Sequence, residues 1–193
     1  MRITKLNLLI IFVVIIPVMF SGCERGDNTP QVYMEPEAVS FNRAVAIIHP
    51  LNASDISGIV YFNLAQNGIE VIADIKGLEP GKHGFHIHEF GDLRAEDGTS
   101  AGGHFSPGNN PHGQPDSDER HVGDLGNIIA IENEDASYFK WLDTMITFTG
   151  EHSIIGRSVI IHENEDDFES QPSGNAGLRI GGGVIGIANE NRK

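Results

Sequence analysis

Cysteine is almost absent from this chain. Cys23 stands alone, so no disulfide can form within it. Basic residues are scarce as well: 13 lysines and arginines face 27 aspartates and glutamates, a net charge of −14, which disfavours nucleic acid as a partner. Long apolar runs are missing beyond one near the start, and the 13 residues of that run (8–20) are too few to cross a bilayer comfortably. Internal repeats and low-complexity tracts are lacking, and signals for long helices are few. A length of 193 residues without repeats points to one domain with appendages.

The first appendage is residues 1–22. Arg2 and Lys5 precede the apolar run, and Ser21-Gly22-Cys23 ends it, the layout of a secretory signal. Phe20-Ser21-Gly22-Cys23 resembles the cleavage box of bacterial lipoproteins, which implies lipidation of Cys23 and a lipid-anchored place in the bacterial cell envelope, in the periplasm or on the outer surface. The alternative is a secreted protein with a free thiol, an odd choice in an oxidising compartment. Residues 23–40 are polar, with no hydrophobic period, and read as a tether. Loss of residues 1–22 removes Arg2 and Lys5 and no acid, taking the net charge from −14 to −16.

Residues 41–190 read as an all-β domain, an antiparallel sandwich or barrel of short strands with 23 glycines in the chain. Strands are expected at 43–49, 58–64, 69–75, 127–131, 158–162 and 183–188, with a further one around Ile146 and Phe148. Val60, Phe62 and Leu64 should share one face, as should Ile69, Val71, Ala73 and Ile75.

The chemistry concentrates in Gly84–Asp124, which holds five of the nine histidines. His86 and His88, two apart on an apolar strand, leave the same face. A Gly/Pro-rich loop follows and forbids a long helix, so that its His104, His112, His121 and Asp124 can converge. Three imidazoles and one carboxylate suit tetrahedral zinc, and the strand pair suits a second, imidazole-loving metal such as copper. Taken separately, such a strand pair is more often a surface pair or a satisfied buried one than a ligand pair, and the loop could be solvated surface.

Together, GFHIHEFGD, TSAGGHF, DERHVGDLGN, SIIGRSVIIHE, GNAGLR and GVIGIA resemble the copper/zinc superoxide dismutases, in order and from about Phe41 to Ala188. The resemblance implies an eight-stranded antiparallel Greek-key barrel with a long metal-binding loop. It implies copper on His86, His88, His104 and His162, and zinc on His104, His112, His121 and Asp124, with His104 shared as an imidazolate. It further implies that Asp166 orients His86 and His112, with Asp167 as the fallback, and that Arg179 guides the anionic substrate. His83 and His152 match structural positions. The implied activity is dismutation of superoxide to dioxygen and hydrogen peroxide by redox-cycling copper, and pairing with a second copy of the chain is left open. The alternative, a non-catalytic or copper-delivering copper/zinc lipoprotein on the same fold, predicts a missing copper ligand or arginine; neither is missing.

Two departures from the family stand out. Gly98 and Gly182 occupy the positions where relatives carry a disulfide between the metal loop and the last strand, and one residue is inserted between His88 and His104. With no bridge, zinc is expected to do more of the work of pinning Gly98–Asp124. The segment between His162 and Arg179 is short, acidic and without lysine, which weakens electrostatic guidance.

Overall fold

The structure, a computed structural model, describes residues 41–189. The signal and tether readings, and Cys23, lie outside the described residues. Nine antiparallel strands are present: β1 (Arg43–Pro50), β2 (Ser57–Ala65), β3 (Gly68–Lys76), β4 (Gly81–His88), β5 (Asp124–Ala130), β6 (Ser137–Asp143), β7 (Ser158–His162), β8 (Arg179–Val184) and the two-residue β9 (Gly186–Ile187). Their order across the sheet is β5-β4-β7-β8-β1-β2-β3-β6, with β9 paired to β1. Eight strands thus make the expected nearly closed barrel. The β8–β1 seam is narrow, only His49↔Gly182 and Pro50↔Gly181. At the opposite seam, Arg120 donates to Asp143 at the end of β6 (2.6 Å) and to the carbonyl of Asp124 at the start of β5 (3.1 Å).

Period-two sequence becomes a dry interior. Ile69, Val71, Ala73 and Ile75 of β3 face Val60 and Phe62 of β2 and, across the barrel, Phe85, Ile87, Leu125 and Ile128; all are buried. Each such large side chain contributes about 1.5–3 kcal/mol by leaving water. Leu64 keeps the face of Val60 and Phe62, opposite Ile69, but is 54% exposed at the rim beside the β2–β3 turn, where the sheet outruns its core.

One expectation needs correcting. Residues 146–149 form no strand, because Thr147 N–H donates to the carbonyl of His152 and Ile154 N–H to that of Thr147, closing a local turn instead of a ladder. The strand that completes the sheet is β6. Its burial alternates strictly, with half-buried Phe139 and Trp141 inward and Tyr138, Lys140 and Leu142 exposed, but its polarity does not follow, since apolar residues lie on both faces and polar Ser137 and Asp143 are buried at its ends.

Candidate metal centre

Two strand ends and one loop meet over β4. The β4 backbone runs beside β7, pairing His86 with Ile160 and His88 with Ser158, so His162 at the end of β7 comes to the same face. The loop returns along β4: Phe105 N–H donates to the carbonyl of Ile87, and Ile87 N–H donates to that of Gly123. Only glycine permits this approach, since a Cβ on Gly123 would lie 2.1 Å from the Ile87 carbonyl oxygen.

The result is two buried ligand sets that share one residue. His86, His88, His104 and His162 form the first, and His104, His112, His121 and Asp124 the second; within each, the ligand atoms lie within 4.8 Å of one another. These are the residues named from sequence, all brought together. In the first set, His88 turns Nδ1 to the Gly102 carbonyl (3.0 Å) and His162 turns Nδ1 to that of Gly177 (3.3 Å). Their Nε2 atoms therefore face each other, 3.4 Å apart. His86 places Nε2 on Asp166 (2.7 Å), which leaves Nδ1 buried without a hydrogen-bond partner, and His104 Nε2 is likewise unpartnered. In the second set, the Nδ1 atoms of His104, His112 and His121 stand 2.8, 3.0 and 3.3 Å from one oxygen, Asp124 Oδ1. The His112 Nδ1 contact is close but not aligned as a hydrogen bond.

Buried unpartnered ring nitrogens are costly unless their lone pairs serve a cation. For His88, His104 and His162 the protonation state agrees with that use. Burial, and then the charges of neighbouring histidines, hold His104 down to about 3 and push His88 and His162 well below the usual imidazole range. These rings are neutral at pH 7, as ligation requires. Burial opposes charge on His112 too, but the Asp124 and Asp166 carboxylates beside it outweigh burial and raise it to about 9. Both carboxylates are held below the usual range by the same histidines, despite burial.

Asp166 spans the two sets, with Oδ2 on His86 and Oδ1 on His112 (2.7 and 2.8 Å). Asp167 does not compete, because it caps Ser170 instead. Several contributors carried no sequence signal. Asn127 holds the Asp166 backbone on both sides, and Gln171 does the same for His112. Gly174, at φ +66°, passes so close that a Cβ would overlap Asp166 Oδ1. Arg120, buried beside His121, is the one basic residue in an acidic stretch of the loop, and that contrast is visible in the sequence. His83 and His152 bond only backbone carbonyls, and His49 is exposed on β1.

Arg179 begins β8 opposite His162 and donates to the carbonyls of Gly98 and Gly102, the latter at 2.7 Å. Zinc would not be alone in holding this loop. Residues 98–102 are held by this arginine, by their own turn (Thr99–Ala101) and by a small apolar cluster of Leu51, Leu93, Ala101 and Ile160.

Known proteins are similar to this chain in sequence and fold. The family model for copper/zinc superoxide dismutase (SODC) matches residues 56–185. A copper/zinc superoxide dismutase of Paramecium bursaria Chlorella virus 1 is 41% identical over 194 aligned residues, covering 96% of this chain and 95% of that one. Copper/zinc superoxide dismutase A of Xenopus laevis is 44% identical, covering 75% of this chain and 97% of that one. The solved structure of the clock protein EA4 superposes with a TM-score of 0.73 at 40% identity, covering 80% of this chain and all of that one. With the barrel, the shared-histidine geometry and these matches in agreement, the chain belongs to the copper/zinc superoxide dismutase family.

Proposed function

We propose that the chain dismutates superoxide, converting two superoxide ions and two protons to dioxygen and hydrogen peroxide, with copper on His86, His88, His104 and His162 and zinc on His104, His112, His121 and Asp124. The observation that carries this reading is the shared His104, whose two ring nitrogens face the two ligand sets. Copper supplies the one-electron redox chemistry; zinc, which has none, supplies fixed charge.

The protein's own groups do the rest. Asp166 fixes the rings of His86 and His112 from one carboxylate, so the two sets are oriented together. His104 Nε2 would take up and return one of the two protons that peroxide formation consumes, the other coming from water. Arg179, pinned by two carbonyls, keeps a permanent charge beside His162 for a small anion. Partial burial lowers its affinity for the proton without bringing it near neutrality.

Arg179→Glu is therefore expected to lower the rate about tenfold or more at low superoxide with copper and zinc content unchanged. Lys76→Glu, the same charge change on exposed β3, should do far less. Lys82 would be a poor control, because it pairs with Glu165 of the acidic segment at 2.5 Å. Equal effects at 179 and 76 would reduce guidance to net charge.

The envelope setting is part of the same proposal. It is supported by Arg2, Lys5, the apolar run 8–20 and Phe20-Ser21-Gly22-Cys23, with residues 23–40 as tether and 41–190 as the enzyme domain. Exposed Ile47, Phe90, Val184 and Ile187, on β1, β8, β9 and the segment after β4, fit a second copy of the chain. Expressed in a bacterium, the wild type should sediment with membranes, and Cys23→Ser should be released as a soluble dimer. Membrane association that survives Cys23→Ser, or a monomeric mass, would count against the anchor or the dimer respectively.

A further inference from the structure

Gly98 and Gly182, unlike their disulfide-bearing counterparts, are not simply an unbridged pair. A Cβ built on Gly98 would lie 2.9 Å from Leu51 Cδ1, and one built on Gly182 would lie 3.0 Å from the same methyl group. One side chain thus fills the gap between the metal loop and the last long strand. Leu51 is 7% exposed and packs with Ala101 of the loop, Ile160 of β7 and partly buried Leu93.

Its backbone neighbourhood ties the same two parts together. Leu51 N–H donates to the Ile180 carbonyl of β8 (3.0 Å), while Asn52 N–H donates to the Glu96 carbonyl of the loop (2.9 Å). The Asn52 side chain donates to the Arg179 carbonyl (3.0 Å). What the loop presents on the other side is chemistry. Gly98 and Gly102 carbonyls hold the Arg179 guanidinium, and the Gly102 carbonyl also orients His88 through Nδ1.

We propose that Leu51 is a positioning residue for Arg179: an apolar plug that sets the Gly98–Gly102 carbonyls against β8 by packing, in place of a covalent bridge and independently of redox state. The inference rests on the proposed role of Arg179 as the anion-guiding group. Leucine suits the place because it fills the volume between two glycines with no polar atom to satisfy. Truncating it removes packing that nothing adjacent can replace without moving the loop.

Azide, a small anion, serves as the probe, its affinity for the copper- and zinc-loaded protein read from the visible spectrum. Leu51→Ala is expected to weaken azide binding about three- to tenfold, in proportion to displaced charge-assisted donors. In an Arg179→Ala background the same change should do almost nothing, because the group it positions is gone. Leu51→Met, close in volume, should bind azide as the wild type does. Val71→Ala in β3, a comparable core loss remote from the loop, should lower the melting temperature without touching azide affinity.

In zinc-loaded, copper-free protein, Leu51→Ala should also speed exchange of the Ala101 and Gly102 amides, which donate within the loop turn. Azide affinity lowered equally with and without Arg179, or unchanged by Leu51→Ala, overturns the role of Leu51. The two failures are separable, since a wild type that does not dismutate superoxide strikes the function and not the plug.

Discussion

Replacing His162 with alanine should abolish dismutation while leaving zinc bound. His162 belongs to the first ligand set alone, at the end of β7, with Nε2 turned to that of His88. Its backbone carbonyl accepts from His83 whatever the side chain at 162, so the strand end stays anchored. The zinc set keeps all four members and its Asp166 contact through His112. Copper left with three imidazoles and a widened site loses several kcal/mol of metal-assisted stabilisation, about a thousandfold or more in rate. Metal content by mass spectrometry and superoxide decay by stopped flow check it together. Full activity would remove His162 from the ligand set, and joint loss of both metals would show that the sets bind as one unit.

Stripping zinc should produce the largest loss of stability. A ligand present at a thousand times its Kd stabilises the folded state by about 4 kcal/mol, which for a domain of this size is a fall of about 10 °C in Tm when it is removed. The loss should be uneven along the loop. Asp124 N–H and His121 N–H bond within the Asp124–His121 turn that zinc would brace, and their exchange should accelerate. Ala101 and Gly102, held by the Leu51 cluster and the Thr99 turn, should stay protected. A phosphine reductant should change neither pattern, since the chain has no second cysteine. Uniform loosening of 98–124 would mean that zinc pins the entire loop after all.

Where the sequence was legible, the reason was periodicity or chemistry that tolerates few substitutes. β3 alternated cleanly because one face meets the core and the other meets water. The ligands were legible because histidine is rare here and clustered in a stretch that glycine and proline keep from helix. β6 was not legible, because its aromatic residues straddle both faces. Nor were Asn127 and Gln171, whose work is done through backbone groups brought together from 39 and 59 residues away. The paired glycines at 98 and 182 showed a bridge missing; that Leu51 fills the space depended on three segments meeting, which no local pattern encodes.

The central claim is that one shared histidine joins two metals into a single redox site. Protein lacking residues 1–22 should be loaded with zinc alone, then with zinc and copper, and assayed for superoxide decay alongside metal analysis. The account predicts about one zinc and one copper per chain, from its two ligand sets, with no acceleration of decay by zinc alone and acceleration once copper is added. A copper- and zinc-loaded protein with no effect on superoxide decay would contradict it.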